Sequence, residues 1–199
     1  MSELPDNKFE NKSIPIGRRF IKEKIDGKIY LMARPSRRHT RIQGNIYNIF
    51  SNYFRQNNKK CEAMFEAQLD IDENNYVVPD VMVFCYENDR ENREDLPVII
   101  VEMLSKSTRK KDLTVKMKQY AALGVREYWI IDHQMSVLDV YILRNGAYEL
   151  EITCGIDDEI NKPDDDDNKD EENYLVPEFV SDIFAGLLIK AEDVFYSVI

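Results

Sequence analysis

Apolar and polar positions alternate on both sides of Asp26-Gly27 in FIKEKIDGKIYLMA (residues 20–33), a pattern that predicts a β-hairpin closed by a two-residue turn. The period then changes. Ile42, Ile46, Ile49, Phe50, Tyr53 and Phe54 recur at helical spacing, so an amphipathic helix is expected over roughly 40–54. Beyond it AMFEAQLDI (63–71) alternates as a strand, residues 72–75 supply a turn, and YVVPDVMVFC (76–85) reads as a second strand. After a charged, loop-like stretch over 88–96, PVIIVEML (97–104) is almost continuously apolar, as in a strand buried on both faces. Ser105, Ser107 and Thr108 are candidate caps for a helix that runs to Leu123 and stops at Gly124. VREYWIID (125–132) is another buried strand, and strand, helix, strand in that order predicts a parallel crossover at the end of a meandering sheet. A second hairpin is expected about Asn145-Gly146, and residues 176–199 return the chain to the core as a short strand and a terminal helix.

These elements define an α/β (α+β) fold and exclude a solenoid or a helical bundle. Residues 1–15 read as a polar tail and 16–199 as a single domain, with 157–173 a flexible, solvated acidic insertion. Charge changes the picture. The net charge of -10 argues against a polyanion partner, but the excess is local, because residues 157–173 hold ten acids against Lys162 and Lys169. Elsewhere Arg34, Arg37, Arg38 and Arg41 form one basic island, and Lys106, Arg109, Lys110, Lys111, Lys116 and Lys118 form another around Asp112. Such islands present a local positive surface to a nucleic acid whatever the total charge. No apolar run approaches the roughly 20 residues of a membrane span, so no membrane partner is expected. The polar start of the chain lacks a secretory pattern, which makes a cytoplasmic location the expectation. Cys61, Cys85 and Cys154 are widely spaced and odd in number; they read as small buried hydrophobes, with no disulfide framework implied.

Two carboxylates stand where a core has no use for them. Asp80 falls within the strand 76–85 and Glu102 ends the apolar strand 97–104. Burying either ion without a partner costs several kcal/mol, on the order of the penalty for any unpaired interior charge. A magnesium ion prefers such oxygen ligands and would remove that cost. In the helix that follows, Asp112, Lys116 and Tyr120 are spaced four apart and share a face beside the row Leu113, Met117, Tyr120 and Ala121, so Lys116 can reach inward. The plainer reading of Lys116 is a surface lysine paired with Asp112. For Asp80 the plainer reading is a solvated strand-end carboxylate.

Pro79-Asp80, VEMLSKST (101–108), Asp112 with Lys116, Tyr120 and GVREYWIID (124–132) together resemble the Uma-two family of restriction-endonuclease-like proteins, within the PD-(D/E)xK nuclease superfamily. The resemblance runs from about Phe20 to Phe195 and takes in PSRRH (35–39) and FAGLLIKAEDVF (184–195). It implies an αβββαβ core with added N-terminal and C-terminal hairpins. Asp80, Glu102 and the backbone carbonyl of Met103 would be metal ligands for magnesium or manganese. Leu104 stands where the superfamily carries its lysine, and Lys116 fills that place from the helix, which makes Asp80, Glu102 and Lys116 the implied catalytic set. The implied activity is metal-dependent hydrolysis of DNA phosphodiester bonds.

His39, Gln43 and Glu66 are candidate accessory residues, each with a plain surface reading beside it. Arg37, Arg38, Arg41, Lys106, Arg109 and Lys110 are candidate DNA contacts. Asp132 reads as a turn cap, His133 as exposed, and Trp129, Tyr128 and Tyr120 as core. A homodimer is compatible with the sequence. The competing functions are a catalytically weak nucleic-acid-binding or regulatory module on the same scaffold, and an adaptor acting through the acidic segment.

Overall fold

The computed structural model describes residues 21–32, 34–86, 96–105, 108–156 and 175–196. The N-terminal tail and the acidic insertion 157–173 expected from the sequence lie outside them, as does most of the charged stretch 88–96. The N-terminal hairpin is present as β1 (Lys22–Ile25) and β2 (Lys28–Leu31), with Asp26 and Gly27 both at positive φ in the turn. Helix α1 (Arg37–Gln56) starts earlier than its apolar period suggested, because the Ser36 side chain caps it by accepting from the His39 amide at 3.1 Å.

Both long alternating segments that follow α1 turn out to be broken. AMFEAQLDI divides into β3 (Cys61–Phe65) and β4 (Leu69–Asp72), and YVVPDVMVFC divides into β5 (Asn75–Val77) and β6 (Val81–Cys85). The first break passes through Glu66, an exposed residue at φ +52°. The second contains Pro79, which has no amide hydrogen to give a ladder. In consequence β4 and β5 join the hairpin in a four-stranded sheet of order β2-β1-β5-β4, while β3 and β6 join a larger one.

That larger sheet has the order β11-β10-β9-β8-β7-β6-β3, with β7 (Ile99–Met103), β8 (Glu127–Asp132), β9 (Val137–Arg144), β10 (Ala147–Gly155) and β11 (Leu175–Val176). β7 and β8 run parallel, as the crossover predicted, and Asn145-Gly146 closes the β9–β10 hairpin. The connection between β7 and β8 is α2, which spans Arg109–Lys111, a π-helical turn at Asp112–Lys116, and Met117–Leu123. It ends at Gly124, whose φ of +82° a side chain would disfavour. A two-stranded sheet, β12 (Glu178–Val180) with β13 (Leu188–Lys190), and the short α3 (Ala191–Val194) complete the described chain. Reading α1-β3-β6-β7-α2-β8 in order gives the αβββαβ core, with β4 and β5 diverted into the second sheet.

Alternation along β7 sorts its side chains between two cores. Ile99, Val101 and Met103 pack with Ile42, Ile46 and Phe50 of α1, and Ile100 and Leu104 pack with Tyr120 of α2 and with Ile25, Leu69 and Val77 of the smaller sheet. Glu102 shares the second face. The smaller sheet and α2 therefore cover the side of β7 from which the carboxylate projects.

One finding corrects the expectations for the core. Cys61 and Cys85 face each other across β3 and β6 and form a disulfide, whereas Cys154 is buried and free. The alternation of short segments did not reveal the register that opposes the two cysteines. In the buried strand β8, Glu127 is 1% exposed and accepts from Trp129 Nε1 at 2.8 Å, Ser181 Oγ at 3.0 Å and the Ile183 amide at 3.0 Å. Burial pushes its carboxyl above the usual range, against those donors. Glu127→Ala orphans Trp129 Nε1 and the Ser181 hydroxyl and leaves the Ile183 amide only Ser181 Oγ at 3.2 Å, and is expected to cost on the order of 3 kcal/mol in urea unfolding. A loss below about 0.5 kcal/mol, the scale of an ordinary surface substitution, would show that water replaces the carboxylate.

Candidate active site

Asp80 lies at the crossing between the two sheets rather than within a strand, in the bend between β5 and β6. Its Oδ2 accepts the Met103 amide hydrogen at 2.7 Å, which ties the bend to the end of β7. Oδ1 lies 2.9 Å from His39 Nε2, and Gln43 Nε2 donates to the Asp80 carbonyl at 2.8 Å. His39 and Gln43 are one turn apart on α1, so a single helix face holds both the side chain and the backbone of Asp80. Of the three accessory candidates, His39 is thus brought to the Asp80 carboxylate and Gln43 to its backbone, while Glu66 only lines the cleft beside them.

Glu102 is 4% exposed, and its Oε1 accepts from Lys116 Nζ at 2.9 Å and from the Tyr120 hydroxyl at 2.8 Å. Lys116 is wholly buried. Besides Glu102, its ammonium meets Glu23 Oε1 at 2.8 Å and Asp112 Oδ1 at 3.4 Å. Three carboxylates thus surround one ammonium in an enclosed space. Burial pushes the Glu102 and Asp112 carboxyls up, more than Lys116 pulls them down. Burial opposes the Lys116 charge as well, but Glu102, Asp112 and Glu23 overcome it and hold the ammonium above its ordinary range. Tyr120 is likewise pushed up by burial and the neighbouring Glu102, and so remains a donor.

The helix that carries Lys116 is not the uninterrupted α-helix expected. Its π-helical turn covers Asp112–Lys116, and π turns recur where a helix serves a site. Asp112, Lys116 and Tyr120 share the buried face as expected, but of the apolar row beside them Leu113 is exposed, while Tyr120 is buried and Met117 packs against the core. Glu23 was absent from the candidates. It could have been found, because it falls between Ile21 and Ile25 on the inward phase of the first strand, an acid where the alternation calls for an apolar residue.

A cleft of about 240 Å³ opens onto this arrangement, lined among others by Arg34, His39, Glu66, Asp80, Glu102 and Met103. Lys116 is not in its wall; it stands behind Glu102. His133 does line the cleft, contrary to the expectation of an exposed residue, because the turn after β8 folds its ring to 6.2 Å from that of His39. Burial and the neighbouring His39 lower its pKa. Asp132 caps that turn as expected and also binds Arg109 at 2.9 Å. Among the proposed DNA contacts, Arg37, Arg41 and Lys110 are exposed, Arg38 donates to Ser136 Oγ at 2.9 Å, and Lys106 lies outside the described residues.

The donor set suits a hard dication. Among the described residues no three His, Cys, Asp or Glu side chains form a closed cage, but magnesium is commonly held by one or two carboxylates with water and substrate oxygens. Both donors to Glu102 fall on Oε1, which leaves Oε2 without a donor among the described residues, in a side chain that lines the cleft with Asp80 and Met103. The negative charge in excess of Lys116 is also what a dication would offset.

A family model described as "Putative restriction endonuclease", Uma2, matches residues 11–165. The chain belongs to the Uma2 family, whose model carries that description. It is 30% identical over 125 residues to an uncharacterized protein of Synechocystis sp., a match covering 60% of this chain and 64% of that relative. The chain thus spans somewhat less than two thirds of the curated relative it matches. A crystal structure from Anabaena variabilis, described as a "putative nuclease belonging to DUF820", superposes with a TM-score of 0.64 at 22% identity, covering 89% of this chain and 91% of the other. That likeness shows a shared fold, a mixed central sheet with few helices, consistent with the restriction-endonuclease-like core. No helix among the described residues is long and apolar enough to cross a membrane.

Proposed function

We propose that the protein is a metal-dependent endonuclease that hydrolyses DNA phosphodiester bonds, with magnesium, or manganese in its place, held by Asp80, Glu102 and the Met103 carbonyl. The observation that carries this reading is that Asp80 and Glu102, from different elements, line one cleft while each is fixed by donors behind it. The bound ion would supply Lewis-acid polarisation of a phosphoryl oxygen and a water of lowered pKa. The chain's own residues do the rest. His39 and the Met103 amide orient Asp80, and Gln43 fixes the backbone that carries it. Lys116 and Tyr120 hold Glu102 Oε1 and so direct Oε2 to the cleft, which makes Lys116 a group that acts through Glu102 rather than on the substrate itself. Arg37, Arg41 and Lys110 are available to phosphates of the flanking backbone, where they set affinity and not sequence preference.

Purified protein incubated with supercoiled plasmid is expected to nick or linearise it in Mg²⁺ or Mn²⁺ and to leave it intact in EDTA. Cleavage that persists in EDTA, or RNA cut in preference to DNA, would overturn the reading. DNA binding without cleavage under any metal would identify a binding module on a nuclease scaffold.

A further inference from the structure

We infer that Glu23, supplied by the N-terminal hairpin, is a positioning residue that fixes the Lys116 ammonium against Glu102. The small four-stranded sheet is then part of the catalytic unit. The inference rests on the nuclease reading of the cleft and deepens it.

The geometry is direct. Glu23 is fully buried, its Oε1 is 2.8 Å from Lys116 Nζ, and the same oxygen accepts the Val78 amide hydrogen at 3.3 Å. Val78 lines the cleft and lies two residues before Asp80, so one carboxylate touches the lysine behind Glu102 and the segment that leads to Asp80. The hairpin is itself anchored to α2, since Lys111 Nζ sits 3.9 Å from the centroid of the Tyr30 ring, immediately before the π turn that carries Lys116.

Stability alone does not account for Glu23. Its Oε2 is buried with no hydrogen-bond partner among the described residues. Lys116 already has Glu102 and Asp112 as counter-ions, so a third carboxylate adds negative charge to a space that lacks positive charge. A neutral isostere would satisfy the fold at least as well, because a buried ion with an unmet oxygen is costly. What Glu23 adds is a restraint. With Asp112 alone at 3.4 Å opposite Glu102, the flexible lysine stem is loosely held; a second short contact from another sheet pins the ammonium in one place.

The test uses the full chain with plasmid DNA and Mg²⁺, with Glu23→Gln as the variant. Glutamine keeps the volume and the acceptor for Val78 and removes the charge. The expected result is a kcat at least tenfold lower, KM within about twofold of wild type, and a Tm no lower than wild type. A merely structural glutamate would instead lower Tm and leave kcat of the folded fraction intact. A second readout does not require turnover: in protein labelled with ¹⁵N-lysine, a slowly exchanging ammonium signal, assigned by its absence in Lys116→Met, should be lost or shifted in Glu23→Gln. If the glutamine variant does not fold, Glu23→Asp, which keeps the charge and withdraws it, is read by the same criteria. A kcat within twofold of wild type, or an unchanged Lys116 signal, overturns the inference. An altered Lys116 signal in a protein whose wild type never cleaves DNA would support the positioning role and remove the nuclease reading instead.

Discussion

Lys116→Met is expected to lower stability by about 3–5 kcal/mol, the cost of stripping a buried charge cluster of its counter-ion. For a chain of this length that corresponds to a fall in Tm of roughly 6–20 °C. The methionine fills the stem's volume, so the loss is electrostatic: Glu23 and Asp112 stay buried, and Glu102 loses the ammonium behind it. The pH dependence gives this loss a signature. Glu102 and Asp112 have folded-state pKa values raised above ordinary carboxylates, so their contribution is fully present below their unfolded values and is lost as pH rises through the folded ones. Removing Lys116 takes away the interaction that lowers both and widens that window. The Tm difference between wild type and Lys116→Met should therefore shrink as the pH falls from 8 towards the unmodified carboxylate value of 4.5. A difference that stays constant across this range would mean that the carboxylates are already protonated at neutral pH, or that the loss comes from packing.

Asp80→Asn is expected to cost more than about 100-fold in cleavage rate with little change in Tm. Residues that orient a metal ligand typically cost 10–100-fold when removed, and loss of the ligand itself costs more. Asparagine can still accept the Met103 amide hydrogen through its carbonyl oxygen, so the bend between the sheets survives while the charge is gone. His39→Ala supplies the comparison. It removes a group that touches Asp80 Oδ1, and a loss of about 10–100-fold follows if that contact only orients the carboxylate. Steady-state plasmid cleavage at saturating Mg²⁺ measures both. An Asp80→Asn protein that cuts at the wild-type rate would place the chemistry elsewhere, and a His39→Ala protein as inactive as Asp80→Asn would give His39 a direct part in the reaction.

Local pattern determined a great deal of this protein. The two Gly-containing hairpin turns, the helix built on Ile42, Ile46 and Phe50 and the parallel β7–α2–β8 crossover all follow from side-chain period and turn chemistry, and the αβββαβ core is what the family resemblance implied. Glu102 was legible because an acid amid Ile99, Ile100, Val101 and Met103 contradicts its own strand, and Asp80 because a carboxylate after proline interrupts an apolar run. Tertiary structure alone decided how these residues meet. Period assigns a residue to a face, but it does not say which element covers that face. It could not show that α2 and the hairpin sheet close over Glu102, that Tyr120, expected in the core and found there, also turns its hydroxyl to Glu102, or that Lys116 stands behind the cleft. Glu66 and Asp80 each lie where an apparently continuous strand changes sheet, and Cys61 meets Cys85 only through the register of β3 against β6. Glu23 joins Lys116 across 93 positions of sequence, and a contact of that separation leaves no trace in the alternation around either residue beyond one acid on an inward phase.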